Sequence, residues 1–571
     1  MGSSDSTASF LDHTPTPLAF GTSGLRGLVT DMTDLEVYVN VRGALAYLQG
    51  RGDVRADGSV VLAGDLRPST DRIMRACAQA IVDAGCTVEN AGKIPTPALI
   101  LHAVTTARPG VMVSGSHIPF DRNGIKLSKS AGEILKSDEA GIVREVQRVR
   151  AEEYGRSAAS SGFDRSGMLK RAFELPPVDG AAEERYVRRY LDGFREGGLA
   201  GLRVLVYEHS AVGREVLARI LRGLGADVVG VGRAETFIPI DTENVTDELL
   251  DRLEALADSA TKGGRFDAIV STDGDSDRPL VAAIEPEPDS HGRRVRFLPG
   301  DLLGIVVAEY LHADAAAVPI NANDAVQRRM DEGGVLLRRT KIGSPYVIAA
   351  IDELLGGKAH ARIVGWEANG GFLVGTPVGL SDQTMGALPT RDATMPILAN
   401  LFAAAEERIG LAALWSRLPA RYGRAGLMDG VPVSASAAIM AHLVAPGDVI
   451  EVEIDSAGQV LDRSRRGGAP SPLEESEAEA WRRRRGTLSR FFTPAFGFDD
   501  IVRINVLDGI RVSFRNGDVA HVRPSGNAPQ LRIYANADSP ARADQIVEFG
   551  LREPDGILRR LERAFSSGGA R

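Results

Sequence analysis

The chain has 571 residues and a net charge of −9 at neutral pH. That length is too great for a single core, and at roughly one domain per 100–200 residues it implies three to five domains; the acidic balance argues against a general nucleic-acid binder. No run reaches the ~20 apolar residues that span a bilayer, and no charged start followed by an apolar stretch reads as a signal peptide. Neither nucleic acid nor membrane is therefore an expected partner, and the expected location is cytoplasmic.

The opening MGSSDSTAS formally fits a myristoylation signal through Gly2 and Ser6, but reads as a short disordered tail. SVVLAGDLRPS at 59–69 predicts a strand and turn, DRIMRACAQAIVDAG a helix, and VMVSGS from Val111 another strand. The only cysteines, Cys77 and Cys86, lie where that helix leads into a strand, which fits buried thiols of a reducing compartment. A second set runs from RVLVYE at Arg203 through a helix at 211–226 and the strand DVVGVG to DELLDRLEALAD and a later strand, AIV, at 268–270. A third set includes AVPINA from Ala317, a helix around AVQRRMDEGG and the strand ARIVGWE from Ala361. This alternation argues for α/β layering with largely parallel sheets, in three related domains. From about Val431, segments such as VIEVEID, GIRVSFRNG and QLRIYAN alternate like an antiparallel sheet with helices. Between Asp455 and Asp500 the alternation fails. That stretch reads as an exposed insertion with a short charged helix, whose Arg482 to Arg485 pair with upstream acids.

The most informative loop is VSTDGDSDRP at 270–279, where Asp273, Asp275 and Asp277 alternate after an apolar strand. Alternate carboxylates can converge on one hard cation and leave positions open for a phosphate oxygen. An EF-hand loop needs Gly sixth and Glu twelfth, where this chain has Arg278 and Ile284. A solvated acidic turn remains the bland alternative.

Three other loops carry polar groups. VSGSHIPFDRNGIKL at 113–127 places small residues at Ser114 and Gly115, which would project Ser116 as an exposed hydroxyl, although a serine that only caps a turn is the ordinary reading. No G-x-S-x-G elbow is present. GWEANGG at 365–371 puts Glu367 and Asn369 on a glycine-rich loop suited to sugar hydroxyls. RPSGNAPQ at 523–530 groups Arg523, Ser525 and Asn527 around a tight turn that can clasp a phosphate. A plain hairpin explains Pro524 and Gly526 but not the polar groups around them.

The four loops in this order, with FGTSGLRG at 20–27, resemble the α-D-phosphohexomutase family along nearly the whole chain. The resemblance implies a four-domain α/β architecture: three related α/β domains with mixed sheets plus a C-terminal α+β domain. Their expected bounds are 1–185 with the phosphoserine loop, 186–297 with the metal loop, 298–428 with the sugar loop, and 429–571 with the phosphate loop and an inserted charged segment. It implies an intramolecular phosphotransferase that interconverts hexose 6-phosphate and hexose 1-phosphate, mannose preferred and glucose second, through a phosphoserine and a bisphosphate. Ser116 would carry the phosphoryl group and join Asp273, Asp275 and Asp277 in holding Mg²⁺, with Arg278 beside them. Arg26, His117 and Lys126 would line the reaction centre, Glu367 and Asn369 would grip the sugar, and Arg523, Ser525, Gly526 and Asn527 would hold the distal phosphate. The implied cofactors are Mg²⁺ and hexose 1,6-bisphosphate, the implied partner a small-molecule sugar phosphate, and the implied state a monomer or homodimer.

Several positions depart from the family pattern. The serine loop has Gly115 and Ile118 where T-A-S-H-N-P is common, and Asn369 stands at the usual serine of the sugar loop. In the phosphate loop Asn527, Ala528 and Gln530 replace Thr, Glu and Lys. TKIGSPYVI at 340–348 carries Ser344 and Tyr346 where many relatives have a histidine, which leaves Lys126 and His117 as the proton-shuttle candidates. Phosphoglucomutase, phosphopentomutase or amino-sugar mutase activity is the alternative, and a non-catalytic sugar-phosphate-binding regulator a further one.

Overall fold

The computed structural model describes residues 10–21, 24–260, 262, 264–288, 292–356, 361–380, 383–444, 448–464, 470–525 and 529–566. Gly2 and Ser6 of the opening, and Gly526 and Asn527 of the phosphate loop, lie outside the described residues. Two compact units divide the chain: Met1–Val318 with Gly343–Arg417, and Pro319–Ile342 with Leu418–Arg571. Among the described residues no helix is long and apolar enough to cross a membrane.

The first unit repeats one device in three sheets. In the first sheet Ser59–Gly64 pairs in parallel with Thr87–Lys93 and with Gly110–Val113, and the chain then doubles back as Arg122–Lys129, antiparallel to Gly110–Val113. In the second, Ala268–Thr272 is parallel to Arg203–Tyr207 and turns into the antiparallel Pro279–Ile284. In the third, Ile363–Trp366 is parallel to Ala315–Pro319 and turns into the antiparallel Phe372–Val374. The sheets are thus mixed, as the family resemblance implies and unlike the largely parallel sheets that strand–helix alternation alone suggests. A short return connection permits only antiparallel pairing, whereas a parallel one needs a crossover. Each return connection is one of the chemical loops, at 114–121, 273–278 and 367–371.

Helices lock these strands in place. Thr70–Asp83 begins on an Asn123-bonded Ser69, and buries Ile73, Met74, Cys77 and Ile81 against the first sheet. Cys77 and Cys86 are free and buried, as expected, and burial pushes both thiols up. In Gly300–Tyr310 the absence of a side chain at Gly304 admits Trp366, because a Cβ there would fall 2.3 Å from the indole. Trp366 also stacks on Phe372 and donates Nε1–H to the Asp301 carbonyl at 3.0 Å. Glu367 therefore leaves a strand whose last residue cannot shift.

The second unit holds an antiparallel sheet in the order Tyr422–Asp429, Gln530–Ala537, Val519–Pro524, Ile510–Phe514, Ile501–Asn505, Glu451–Ile454, Val460–Asp462, Ser471–Pro472. Its first strand begins some residues before the expected Val431. The stretch from 455 to 500 is not the exposed insertion that its sequence suggests. Val460–Asp462 and Ser471–Pro472 extend the sheet, and Trp481, Leu488, Phe491, Phe492 and Phe498 enter its core. The helix Glu475–Leu488 spends one apolar side on that core, and its outward Arg482 and Arg483 pair with Glu475 and Glu479 as expected.

Candidate active site

Ser116 is fully buried, not the projecting hydroxyl that small neighbours suggest. Its Oγ donates to Asp273 Oδ2 at 2.6 Å, and its backbone N–H donates to Ser114 Oγ at 2.8 Å. The left-handed backbone needed for the turn falls on Ser116 itself, at φ 55°, rather than on Gly115. Gly115 instead admits Arg67, since a Cβ there would lie 2.7 Å from the guanidinium carbon. Ser114 is tied in turn to Asp65 Oδ2 at 2.8 Å.

Asp273, Asp275 and Asp277 gather ligand oxygens within 4.8 Å of one another. Each carboxylate spends at least one oxygen on scaffolding. Asp273 Oδ1 accepts the Asp277 and Arg278 backbone N–H groups at 3.2 Å, Asp275 Oδ2 takes Thr96 Oγ1 and Lys126 Nζ at 2.5 Å, and Asp277 Oδ2 takes Lys126 Nζ at 2.7 Å. Asp275 Oδ1 and Asp277 Oδ1 are buried with no hydrogen-bond partner. Orphaned carboxylate oxygens are costly unless something pairs with them, and oxygen-only donors of this kind fit a hard divalent cation. Burial, then Asp277 and Asp275, push the Asp273 carboxyl well up, while Arg391, Lys126 and Arg278 overcome burial to hold Asp277 well below the ordinary range.

The sugar loop meets this cluster through Arg391. Its Nε and Nη2 donate to Asp277 Oδ2 at 3.2 and 2.8 Å, and its Nη1 donates to Glu367 Oε2 at 2.9 Å. Asn369 Oδ1 accepts the Gly371 N–H at 3.0 Å and its carbonyl accepts Thr242 Oγ1 at 2.7 Å, so the loop is rigid before any ligand arrives. Gly370 turns it at φ +86°, packed on Pro279 behind the metal loop.

Arg26, His117, Lys126 and Arg278 lie around the carboxylates. Arg278 Nη1 donates to His117 Nδ1 at 2.9 Å. Burial, then Arg278 and Arg26, push the imidazole down to about 2, so it is neutral and bears its proton on Nε2. Burial disfavours the Lys126 charge, but Asp275 and Asp277 outweigh it and raise the ammonium above its ordinary value. Arg26, buried and beside Arg278 and Arg391, is pulled down to about 10.

In the second unit Arg523 closes the strand Val519–Pro524, with Nε 3.0 Å from Asp508 Oδ2. Asp508 Oδ2 also accepts the Ile342 N–H at 3.0 Å. The Ser525 N–H donates to the Gln530 carbonyl at 2.9 Å, and Gln530 Nε2 to Asp429 Oδ1 at 2.7 Å.

Sequence reasoning missed Asp65, Arg67, Thr96, Phe237 and Arg391. The D-x-R after the strand at 59–64 is a signal for the first two, because a buried strand seldom ends in a charged pair without a use. Arg391 carries no comparable local mark.

Three comparisons bear on this arrangement. Family descriptions match in three segments: “Phosphoglucomutase/phosphomannomutase, alpha/beta/alpha domain I” at residues 17–153, the corresponding domain III at 299–422, and the C-terminal domain at 471–551. A phosphomannomutase of Sinorhizobium fredii is 35% identical over 535 residues, 93% of this chain and 98% of its own. One of Salmonella muenchen is 36% identical over 549 residues, 95% and 96% of the two chains. Among solved structures, a phosphoglucomutase/phosphomannomutase family protein from Burkholderia thailandensis superposes with a TM-score of 0.62 at 18% identity, covering 96% of this chain and 98% of that one.

Proposed function

Because the chain belongs to the phosphoglucomutase/phosphomannomutase family and is a phosphohexomutase, we propose that it interconverts mannose 6-phosphate and mannose 1-phosphate, with glucose phosphates as secondary substrates. The choice of mannose is supported by the two phosphomannomutases at 35% and 36% identity over nearly full length. We infer Mg²⁺ as the cation and hexose 1,6-bisphosphate as intermediate and activator. The two unpaired cysteines support a cytoplasmic setting.

One observation carries the reading: Ser116 Oγ lies 2.6 Å from one carboxylate of a buried three-aspartate group in which two oxygens accept no hydrogen bond. Asp273, Asp275 and Asp277, with the phosphorylated Ser116, would hold the divalent cation, which when bound neutralises charge on the transferring group. The chain's own groups do the rest. Phosphorylated Ser116 gives its phosphoryl group to the free sugar hydroxyl: the bond to Oγ breaks, the bond to the sugar oxygen forms, and a bisphosphate results. The bisphosphate turns over and its other phosphate returns to Ser116. Arg278 and Arg26 stabilise the equatorial oxygens in a dry site where such contacts are strongest. Neutral His117 orients through its Nε2–H, the sugar hydroxyl's proton ends on Ser116 Oγ as that oxygen loses its phosphoryl group, and Lys126, kept charged by Asp275 and Asp277, steadies the negative charge on the oxygens during transfer. Glu367 and Asn369 engage sugar hydroxyls, and Arg523 with Ser525, Gly526 and Asn527 takes the phosphate that is not reacting.

Ser116→Ala tests this directly. Turnover on mannose 1-phosphate with Mg²⁺ and a trace of bisphosphate should fall by at least ~10³-fold, in keeping with loss of a covalent nucleophile, and intact mass should show one phosphoryl group on the wild type only. Persistent turnover in the variant would sink the phosphoserine mechanism. Steady-state rates on mannose, glucose, glucosamine and ribose phosphates decide the sugar, and a best rate on ribose phosphate would overturn the hexose assignment.

A further inference from the structure

Ser116 is gripped from behind by a side chain that the reaction itself does not use. Arg67 is buried, and its guanidinium donates to four carbonyls of the serine loop: Ser116 at 2.8 Å, Ile118 at 2.6 Å, Pro119 at 2.7 Å and Arg122 at 3.0 Å. Its Nε donates to Asp65 Oδ2 at 3.1 Å, which leaves the flat face of the fork open. That face lies over the ring of Phe237, with the guanidinium carbon 3.9 Å from the ring centroid. Phe237 in turn packs on the metal loop at Gly274, where a Cβ would fall 2.8 Å from the ring and 2.7 Å from the Ser116 carbonyl oxygen.

Three groups therefore meet at one point: the carbonyl of the phosphoryl-carrying serine, an aromatic ring, and the glycine between the first two metal-loop carboxylates. The left-handed backbone at Ser116, a non-glycine residue, is strained. Charge-assisted bonds to four carbonyls between Ser116 and Arg122 offset that strain. A lysine at 67 would keep the charge but lose the planar fork that reaches all four carbonyls.

We propose that Arg67 and Phe237 form a positioning pair that sets the distance between Ser116 Oγ and the metal loop, and so the rate of phosphoryl transfer. The inference rests on the reading of Ser116 as phosphoryl carrier. The pair touches the serine loop and the metal loop at Gly274, the two loops between which the phosphoryl group moves, so its effect is expected on the chemical step. In-line transfer tolerates little displacement, and an error of about 1 Å costs on the order of 10²-fold in rate.

The test uses dephosphorylated full-length enzyme, Mg²⁺ and glucose 1,6-bisphosphate. Ser116 phosphorylation is followed by intact mass: the Oγ–P bond forms, a sugar O–P bond breaks, the serine proton passes to the sugar oxygen, and hexose monophosphate leaves. Arg67→Lys and Phe237→Leu should each slow this step by about 10–100-fold, with KM for mannose 1-phosphate within about twofold of wild type. The double variant should lose no more than the worse single one, as expected of residues acting as a unit. Wild-type rates in folded variants, or a raised KM at unchanged kcat, would overturn the pairing; should Arg67→Lys fail to fold, Phe237→Leu decides alone. A wild type that takes up no phosphoryl group refutes the phosphoserine reading and the pairing with it. Phosphorylation of wild type and variants at one rate refutes the pairing alone.

Discussion

Lys126→Met isolates the ion pairs beneath the metal loop. In the wild type the ammonium lies 2.5 Å from Asp275 Oδ2 and 2.7 Å from Asp277 Oδ2, and the two carboxylates are almost completely buried. Asp277 keeps Arg391 in the variant, at 2.8 Å. Asp275 keeps only the Thr96 hydroxyl and has no other ion pair among the described residues. The cost is therefore that of one broken buried pair, about 3–5 kcal/mol. At roughly 2 °C per kcal/mol for a unit of several hundred residues, the thermal midpoint should fall by about 6–10 °C in EDTA. Excess Mg²⁺ should restore more of that loss than it adds to the wild type, because a cation binding only the folded state stabilises it by mass action and the variant leaves the Asp275 carboxylate uncompensated. Scanning calorimetry in EDTA and in Mg²⁺ measures both shifts. A loss below about 1 kcal/mol without metal, or equal Mg²⁺ shifts in variant and wild type, would refute the reasoning.

Asp392 follows Arg391 and is fully buried, with Tyr186 donating to it at 2.5 Å. Burial, only partly opposed by Tyr186 and Arg189, pushes its carboxyl up to about 6. A raised carboxyl contributes stability that is present below its ordinary value and lost as pH rises through 6, here about 3 kcal/mol. Asp392→Asn should therefore flatten the fall in thermal midpoint between pH 4 and 6.5, and a wild-type slope unchanged in the variant would contradict the shift. Trp481→Ala removes an indole from the second unit's core and should cost about 3–5 kcal/mol by chemical denaturation; an exposed-insertion residue would cost under ~0.5 kcal/mol.

The loops that were legible in the sequence are those whose chemistry is compact along the chain. Asp273, Asp275 and Asp277 fall within one short loop between Thr272 and Pro279, so local chain geometry brings them together. Arg391 meets Asp277 across 114 positions and Arg67 meets Ser116 across 49, and nothing in TRDAT or DLRPS marks a partner that distant. Alternation alone favoured largely parallel sheets, where the family resemblance implied mixed ones, for a related reason. A run such as AIV looks the same beside a parallel or an antiparallel neighbour, and only the length of the return connection separates them. Ser116 was expected to project because small neighbours permit exposure, yet Asp273 and Gly274 close over it from another sheet. The 455–500 stretch misled because Trp481 stands alone among charges, where periodicity has too few apolar positions to register.

Four carboxylates, Asp273, Asp275, Asp277 and Glu367, face four cationic side chains, Arg26, Lys126, Arg278 and Arg391. With all eight groups charged their charges cancel before anything enters the pocket. A divalent ion alone would leave an excess of two positive charges in a dry cavity, and a phosphoryl dianion alone an excess of two negative ones. Admitted together they cancel. The site is in this sense a receptor for a salt rather than for either ion, and each half of that salt must strengthen the hold on the other by the same factor.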